Sequence, residues 1–511
     1  MPVKLYSGTF IGIDSQLVEV EIDLGRGIPS FHMVGLPDTA VRESEKRVRS
    51  AIINSGFDYP RTKVIINLAP GDIKKSGAGF DLAIALGIIA AQRNSHKLKL
   101  QDYLVAGELS LSGKLRKTKG ILSLAFFVRE RGLKGLIIPQ ANKEEAALVS
   151  NINIYPVQTL KEAVRCLYQK NRFFIQKSNN NNISMNKPHF YKIDMKDVKG
   201  QEEAKRALEI AAAGNHNLLI SGPPGSGKSM LARRISTIIP PPSKKEAYEI
   251  TKIYSILGLL QDKQGLINKR PFRAPHHTIT KAGLIGGGRI PEPGEITLAH
   301  RGILFLDEFS EFNKNVLDVL RQPLEEGQIS LVRSGYHKLT FPCEFLLIAA
   351  QNPCKCGFFG SDDNCSCSYV ELKRHHNKLS GPLLDRIDMQ LEIPALKPEQ
   401  IVNNTGENES SSTIRKRVIS ARIIQRNRYI NENYNCNSKL KGSKLKKYCA
   451  VEDKSKIFLL KAIKKLSLSA RAYDIILRLA RTIADLDQSK NIQLKHLSEA
   501  IQYRSLDRIK Y

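Results

Sequence analysis

Leu218-Leu219-Ile220-Ser221-Gly222-Pro223-Pro224-Gly225-Ser226-Gly227-Lys228-Ser229 runs from an apolar strand into the spacing G-x-x-x-x-G-K-S. That spacing is a phosphate-binding loop, and it points to a nucleoside triphosphate. Glycines at 222, 225 and 227 let backbone N–H groups close on phosphate oxygens where a side chain would collide. A helix starting near Lys228 turns its positive end toward the same anion. Lys228 is expected at the β- and γ-phosphates and the Ser229 hydroxyl on Mg²⁺. Gly222, Pro223, Pro224, Gly225, Ser226, Gly227, Lys228 and Ser229 together form the expected cradle.

The partners of such a loop lie downstream. Ile303-Leu304-Phe305-Leu306 is an apolar strand that ends in Asp307-Glu308. A buried parallel strand delivers such acids to the sheet edge that carries the phosphate loop. Asp307 is expected in the Mg²⁺ shell, and Glu308 as the group that orients and deprotonates water. Leu346-Leu347-Ile348-Ala349-Ala350 leads into Gln351-Asn352, whose amide suits a γ-phosphate and the water. Ser380-Gly381-Pro382-Leu383-Leu384-Asp385-Arg386-Ile387-Asp388 offers Arg386, and Leu468-Ser469-Ala470-Arg471 places Arg471 at a helix entry. An arginine brought to a γ-phosphate stabilises transition-state charge.

The chain has 511 residues, enough for two to four domains. Its formal net charge of +29 favours a polyanionic partner, nucleic acid before anionic membrane. Acids at Asp14, Glu19, Glu21 and Asp23 interrupt the opening apolar residues, so no secretory signal is expected there. No apolar run reaches spanning length, and a cytoplasmic protein without a membrane role is expected. Polar stretches from Gln176 to Asn186 and from Asn403 to Ser412 read as linkers. They divide the chain into 1–172, a linker 173–187, a core 188–400, a linker 401–412 and a helical segment 413–511. Thr62–Asn67 and Gly135–Pro139 read as strands and Phe80–Ala91 as an apolar helix. Ile475, Ile476, Leu479 and Ile483 form one helical stripe.

The ordered set of motifs resembles an AAA+ ATPase, which implies an α/β P-loop core, ATP and Mg²⁺. The resemblance makes Asn352 sensor 1, Arg386 the arginine finger and Arg471 sensor 2. It also implies a ring, usually a hexamer, in which Arg386 reaches the neighbouring subunit's nucleotide. Two insertions resemble the magnesium-chelatase-like branch. One runs through Arg270-Pro271-Phe272-Arg273-Ala274-Pro275-His276-His277-Thr278 to Gly286-Gly287-Gly288 and Pro293-Gly294-Glu295-Ile296. For His276 and His277 packing or hydrogen bonding is expected, not a ligand role. The other, Gly327 to Thr340, reads as a hairpin around Ser334-Gly335. Arg333, His337 and Lys338 near its tip are candidate contacts to a phosphate backbone, without base readout.

The N-terminal segment resembles the proteolytic domain of Lon, an α+β fold, through Gly107-Glu108-Leu109-Ser110-Leu111-Ser112-Gly113 and Leu136 to Lys143. That family uses a serine–lysine dyad. Gly77 aligns with the serine and Leu122 with the lysine, and neither residue can do the chemistry. A Lon-like fold without peptidase activity is therefore expected, ahead of the AAA+ core and an α-helical C-terminal lid. This arrangement resembles the ComM/YifB family over nearly the whole chain, including Ala480–Leu486 and Glu499–Arg504. The resemblance implies a hexameric DNA motor that drives branch migration of recombination intermediates in natural transformation. Single-stranded, forked or branched DNA and recombination proteins are the implied partners. A chelatase-type motor that remodels a protein partner is the alternative, and an unfoldase or Lon-type peptidase a third reading.

Cys354, Cys356, Cys365 and Cys367 form C-x-C-x8-C-x-C between Asn352 and Arg386. Four thiolates so close can close a tetrahedral structural Zn²⁺ site, although C-x-C is tighter than the usual spacing. Reduced cysteines in a loop are the other reading.

Overall fold

The computed structural model describes residues 2–93, 100–168, 176–177, 192–261, 265–288, 291–333, 336–360, 365–395, 408–432, 434–466 and 468–504. Two compact units emerge. One comprises Met1–Lys187, Ser243–Asn268 and Ser330–Phe341, the other Pro188–Pro242, Lys269–Ile329 and Pro342–Tyr511.

In the first unit, Val3–Ile11 and Asp14–Gly25 pair antiparallel, from Val3 opposite Ile22 to Ile11 opposite Asp14. Their alternation sends Val3, Leu5, Val18, Val20 and Ile22 to the core. On the other face Lys4 bridges Glu19 and Glu21, each at 2.6 Å. These strands sit inside an eight-stranded mixed sheet. Lys63–Ala69 and Ser30–Val34 extend it on one side, and Tyr103–Val105, Gly135–Pro139, Asn153–Val157 and Gln176–Lys177 on the other. The expected strand at Thr62–Asn67 is found at Lys63–Ala69. Gly135–Pro139 is a strand buried at every position. The apolar helix is Asp81–Gln92, buried almost all round, as a helix with no polar face must be. It lies close to the sheet because Gly87 has no side chain: a Cβ there would fall 2.1 Å from Ile22 Cδ1. Its buried Asp81 is held by Arg47 Nε at 2.8 Å.

Gly77 adopts φ +84° and Leu122 is fully buried in the helix Ile121–Arg131, so the two positions aligned with a peptidase dyad are a turn and a core residue. Two stretches that chain order assigns to the middle segment cluster with the first unit. In one of them the helix Lys244–Ile256 starts with a Ser243/Glu246 capping box. It packs Tyr248 edge-on against Phe126 at 5.2 Å, with its hydroxyl donating to Leu148 O at 2.7 Å. In the other, Gln328–Arg333 and Tyr336–Pro342 form the expected two-stranded pair. Ser334 and Gly335, where a turn is expected, lie outside the described residues, as do the side chains of Arg333, His337 and Lys338.

The second unit is built on a five-stranded sheet in the order Phe272–Arg273, Ile303–Leu306, Leu346–Gln351, Leu218–Ser221, Met389–Glu392. Every pairing is parallel. Three of these strands are near-continuous apolar runs, as strands covered on both faces must be. Helices Glu202–Gly214 and Lys228–Ile238 share one core with the C-terminal helices Ser411–Arg428 and Ala470–Leu486. The stripe Ile475, Ile476, Leu479 and Ile483 is buried there. The segment expected as a separate lid is therefore continuous with the sheet's own core. The Ala480–Leu486 run is structural: Asp485, fully buried, pairs with Arg428 and with Arg481. Arg504 is also buried and donates to Ile387 O at 2.7 Å. The polar stretches read as linkers fall mostly outside the described residues. At their edges, Gln176–Lys177 pairs with Asn153–Ile154, and the helix Ser411–Arg428 begins on a Ser410 cap. Among the described residues no helix is long and apolar enough to cross a membrane.

Candidate nucleotide site

Parallel strands end together, and the loops after Leu218–Ser221, Ile303–Leu306 and Leu346–Gln351 meet at one sheet edge. The phosphate loop turns through Gly225 at φ +77° and Gly227 at φ +87° into the helix Lys228–Ile238. Gly222 is required by a close approach, since a Cβ there would lie 2.6 Å from Ile393 O. At Gly225 a Cβ would meet nothing within 4 Å, so that side of the loop is open.

Lys228 Nζ donates to Gly222 O at 2.7 Å, Pro223 O at 2.8 Å and Asn352 Oδ1 at 3.1 Å. Burial pushes its pKa below the ordinary lysine value, while the charge of Asp307 pulls it back. Ser229 Oγ donates to Asp307 Oδ2 at 2.6 Å. Four expected residues from three loops are thus joined as two hydrogen-bonded pairs, Lys228 with Asn352 and Ser229 with Asp307, with the Asp307 charge felt at Lys228. The set fits the group that the motif implies. A hydroxyl and a carboxylate converge as oxygen donors for a hard divalent cation, and an ammonium stands beside them for phosphate charge.

Glu308 follows Asp307 at φ +52° and opens the 3₁₀ turn Phe309–Glu311, anchored by fully buried Phe309. Its carboxylate meets the first insertion, where His277 Nδ1 lies 3.0 Å from Glu308 Oε2. The His277 ring stacks on His276, with centroids 4.1 Å apart, and stands edge-on to Phe312 at 6.4 Å. Paired histidines in an insertion were the sole signal for this contact, and nothing in their spacing names Glu308. Elsewhere in the insertion, Arg273 forks onto Glu295 with two 2.6 Å hydrogen bonds.

Arg386 and Arg471 lie apart from this set. Asn217, the residue before the phosphate-loop strand, donates its amide to Arg386 O at 3.3 Å. Arg386 therefore sits at the start of that strand and Lys228 beyond its end. The Arg386 guanidinium donates to Pro382 O and to Glu325, both at 2.6 Å. It holds the Glu325 carboxyl below the usual carboxylate range. Arg386, Arg471, Glu325, Lys439 and Lys441 line one cavity of about 330 Å³. The structure thus brings the two arginines together, away from their own chain's phosphate loop.

The four sulfur atoms of Cys354, Cys356, Cys365 and Cys367 lie within 4.8 Å of one another. Their separations include 3.3 Å for Cys354–Cys356 and 3.4 Å for Cys356–Cys365. Four soft donors at such spacing fit a tetrahedral thiolate-bound ion. Their loop touches the phosphate loop: a Cβ on Gly357, at φ +93°, would lie 2.7 Å from Pro224 Cδ.

The family described as magnesium chelatase, subunit ChlI, matches residues 194–401; those described as subunit ChlI of Mg-chelatase and as magnesium chelatase, subunit ChlI C-terminal, match 20–142 and 408–504. Competence protein ComM of Haemophilus influenzae is 42% identical over 508 residues, covering 99% of this chain and 98% of that protein. An uncharacterised protein of Escherichia coli, YifB, is 41% identical over 500 residues, covering 98% and 96%. Lon protease 2 of Bacillus subtilis is 29% identical over 167 residues, 30% of each chain, so the Lon likeness is partial. The near-complete coverage by two such relatives places this chain in the ComM/YifB family of magnesium-chelatase-like AAA+ proteins.

Proposed function

We propose that this chain is an ATP-driven motor acting on DNA, which moves branch points of recombination intermediates during natural transformation. One observation carries the ATPase half: the contact set of Lys228, Ser229, Asp307 and Asn352 at a single sheet edge. The DNA half is supported by the net charge of +29 and by the name of the Haemophilus relative, a competence protein.

Lys228 and the backbone of Gly222–Ser229 bind the phosphates. Ser229 and Asp307 would hold Mg²⁺, which would offset the negative charge of the phosphates. Asn352 orients the γ-phosphate and the attacking water, and Glu308 accepts the water's proton. Arg386 and Arg471, remote from Lys228 in their own chain, face the nucleotide of the next subunit in a hexameric ring. Arg333, His337 and Lys338 grip the DNA backbone without reading bases. The four cysteines hold a structural Zn²⁺ that orders the loop after Asn352.

The test is direct. Lys228→Ala or Glu308→Gln is expected to abolish ATP hydrolysis and branch migration while leaving the thermal melt unchanged. An unchanged branch-migration rate in either variant refutes the reading. The family match to a chelatase subunit keeps one alternative, a motor that remodels a metal-inserting protein. ATPase stimulation by branched DNA, with none by such a partner, separates the two.

A further inference from the structure

His277 and Glu308 come from separate parts of the chain, and both are held from outside the pair. Glu308 N donates to Asp307 Oδ1 at 3.1 Å, and Glu308 O accepts from Glu311 N at 2.7 Å. Its backbone is therefore fixed at both ends, and the remaining freedom is rotation of the side chain. The His277 ring is set by its stack on His276 and by Phe312, which follows the same 3₁₀ turn. His276 is itself tied down, with Nδ1 2.9 Å from Thr278 Oγ1. The side chains of His277 and Glu308 are 30% and 58% exposed, so the pair adds little to folding stability. What a contact of this kind can do is fix the direction of a carboxylate.

We propose that His277 is a positioning residue for Glu308, linking the histidine-bearing insertion to the hydrolytic step. With a proton on Nδ1, the ring donates to Oε2. Oε1 is then left free to take the proton from the attacking water. General-base catalysis depends on such placement, because a misdirected base forfeits much of its contribution. The proposal rests on Glu308 being the base.

Two substitutions separate the hydrogen bond from packing. His277→Leu keeps an apolar side chain against His276 and Phe312 but removes the donor. His277→Asn retains an N–H near the Nδ1 position. The expected result for His277→Leu is kcat lower by about 10-fold, with KM and the Kd of a fluorescent ADP analogue unchanged. His277→Asn recovers most of the loss. Wild-type kcat in His277→Leu overturns the proposal. So does an equal defect in both substitutions. Wild-type turnover by Glu308→Gln alone overturns the base assignment and the proposal with it, whereas a silent Glu308→Gln beside an unaffected His277→Leu overturns the positioning role alone.

Discussion

His216 shows how one side chain ties the phosphate-loop strand to the helices behind it. It is fully buried, with Nε2 2.8 Å from Thr482 Oγ1 and Nδ1 3.5 Å from Asp388 Oδ2. The second distance is long for a hydrogen bond, so the coupling to Asp388 is mainly one of charge. Burial pushes the His216 pKa below its ordinary 6.5; Asp388 opposes that, while Arg478 and Arg422 reinforce it. Burial pushes the Asp388 carboxyl up, but His216, Arg478 and the Asn217 N–H outweigh it and hold the group below its ordinary 3.8. The sign is the same for both. Unfolded chains take up a proton near the ordinary values and the folded chain resists, so stability is present above those values and lost as pH falls. For His216 the loss begins near pH 6.5 and continues below it; for Asp388 it begins near 3.8. A melting temperature that drops by a few degrees between pH 7 and pH 5 is expected. His216→Gln, which keeps a partner for Thr482, should flatten that drop. An equal drop in both proteins would assign it to other groups.

At the scale of elements, the loop between Asn352 and the helix Tyr369–His376 has the clearest consequence. Few of its described residues are buried, yet it carries four clustered thiols and backs onto the phosphate loop at Gly357 and Pro224. With a structural ion in the cluster, about one zinc per chain is expected in protein purified without chelator. Cys365→Ser with Cys367→Ser should release the ion, free the loop beside Pro224 and weaken nucleotide binding several-fold, with the sheet still folded by circular dichroism. A zinc ratio near zero in the unaltered protein would remove the site. The four cysteines were legible because they are close in sequence, and so were the strand ends at Ser221, Leu306 and Gln351, where an apolar run meets a chemically distinct residue. Contacts across the chain were not. Nothing local in Ser243–Asn268 says that Tyr248 packs on Phe126, or that His277 meets Glu308. The stripe Ile475, Ile476, Leu479 and Ile483 was legible as one helix face, but periodicity gives the apolar face and not its partner, so its continuity with the sheet core stayed hidden.

At the scale of the whole molecule, the proposed role of Arg386 in hydrolysis requires it to act away from its own chain's Lys228. A four-residue strand, Leu218–Ser221, stands between Asn217, which holds Arg386 O, and Gly222, which holds Lys228. At about 3.3 Å per residue, the five steps from Asn217 to Gly222 span roughly 17 Å. The Arg386 guanidinium is also engaged at its own end of the sheet, on Pro382 O and Glu325. An arginine so placed stands away from its own chain's phosphate loop, and the head-to-tail ring proposed above would bring it to a neighbour's. Mixing tests this. Lys228→Ala lacks a working phosphate site and keeps Arg386; Arg386→Ala has the reverse defect. Each alone should be inactive. When the two are unfolded, mixed evenly and reassembled, about a quarter of interfaces pair an intact phosphate site with an intact neighbouring arginine. ATP hydrolysis should then rise well above that of either parent. The Lys228→Ala/Arg386→Ala double variant, mixed with Arg386→Ala, supplies no intact arginine and should stay silent. A mixture of the single variants that also stays silent, with both present in rings by native mass, would place Arg386 outside hydrolysis.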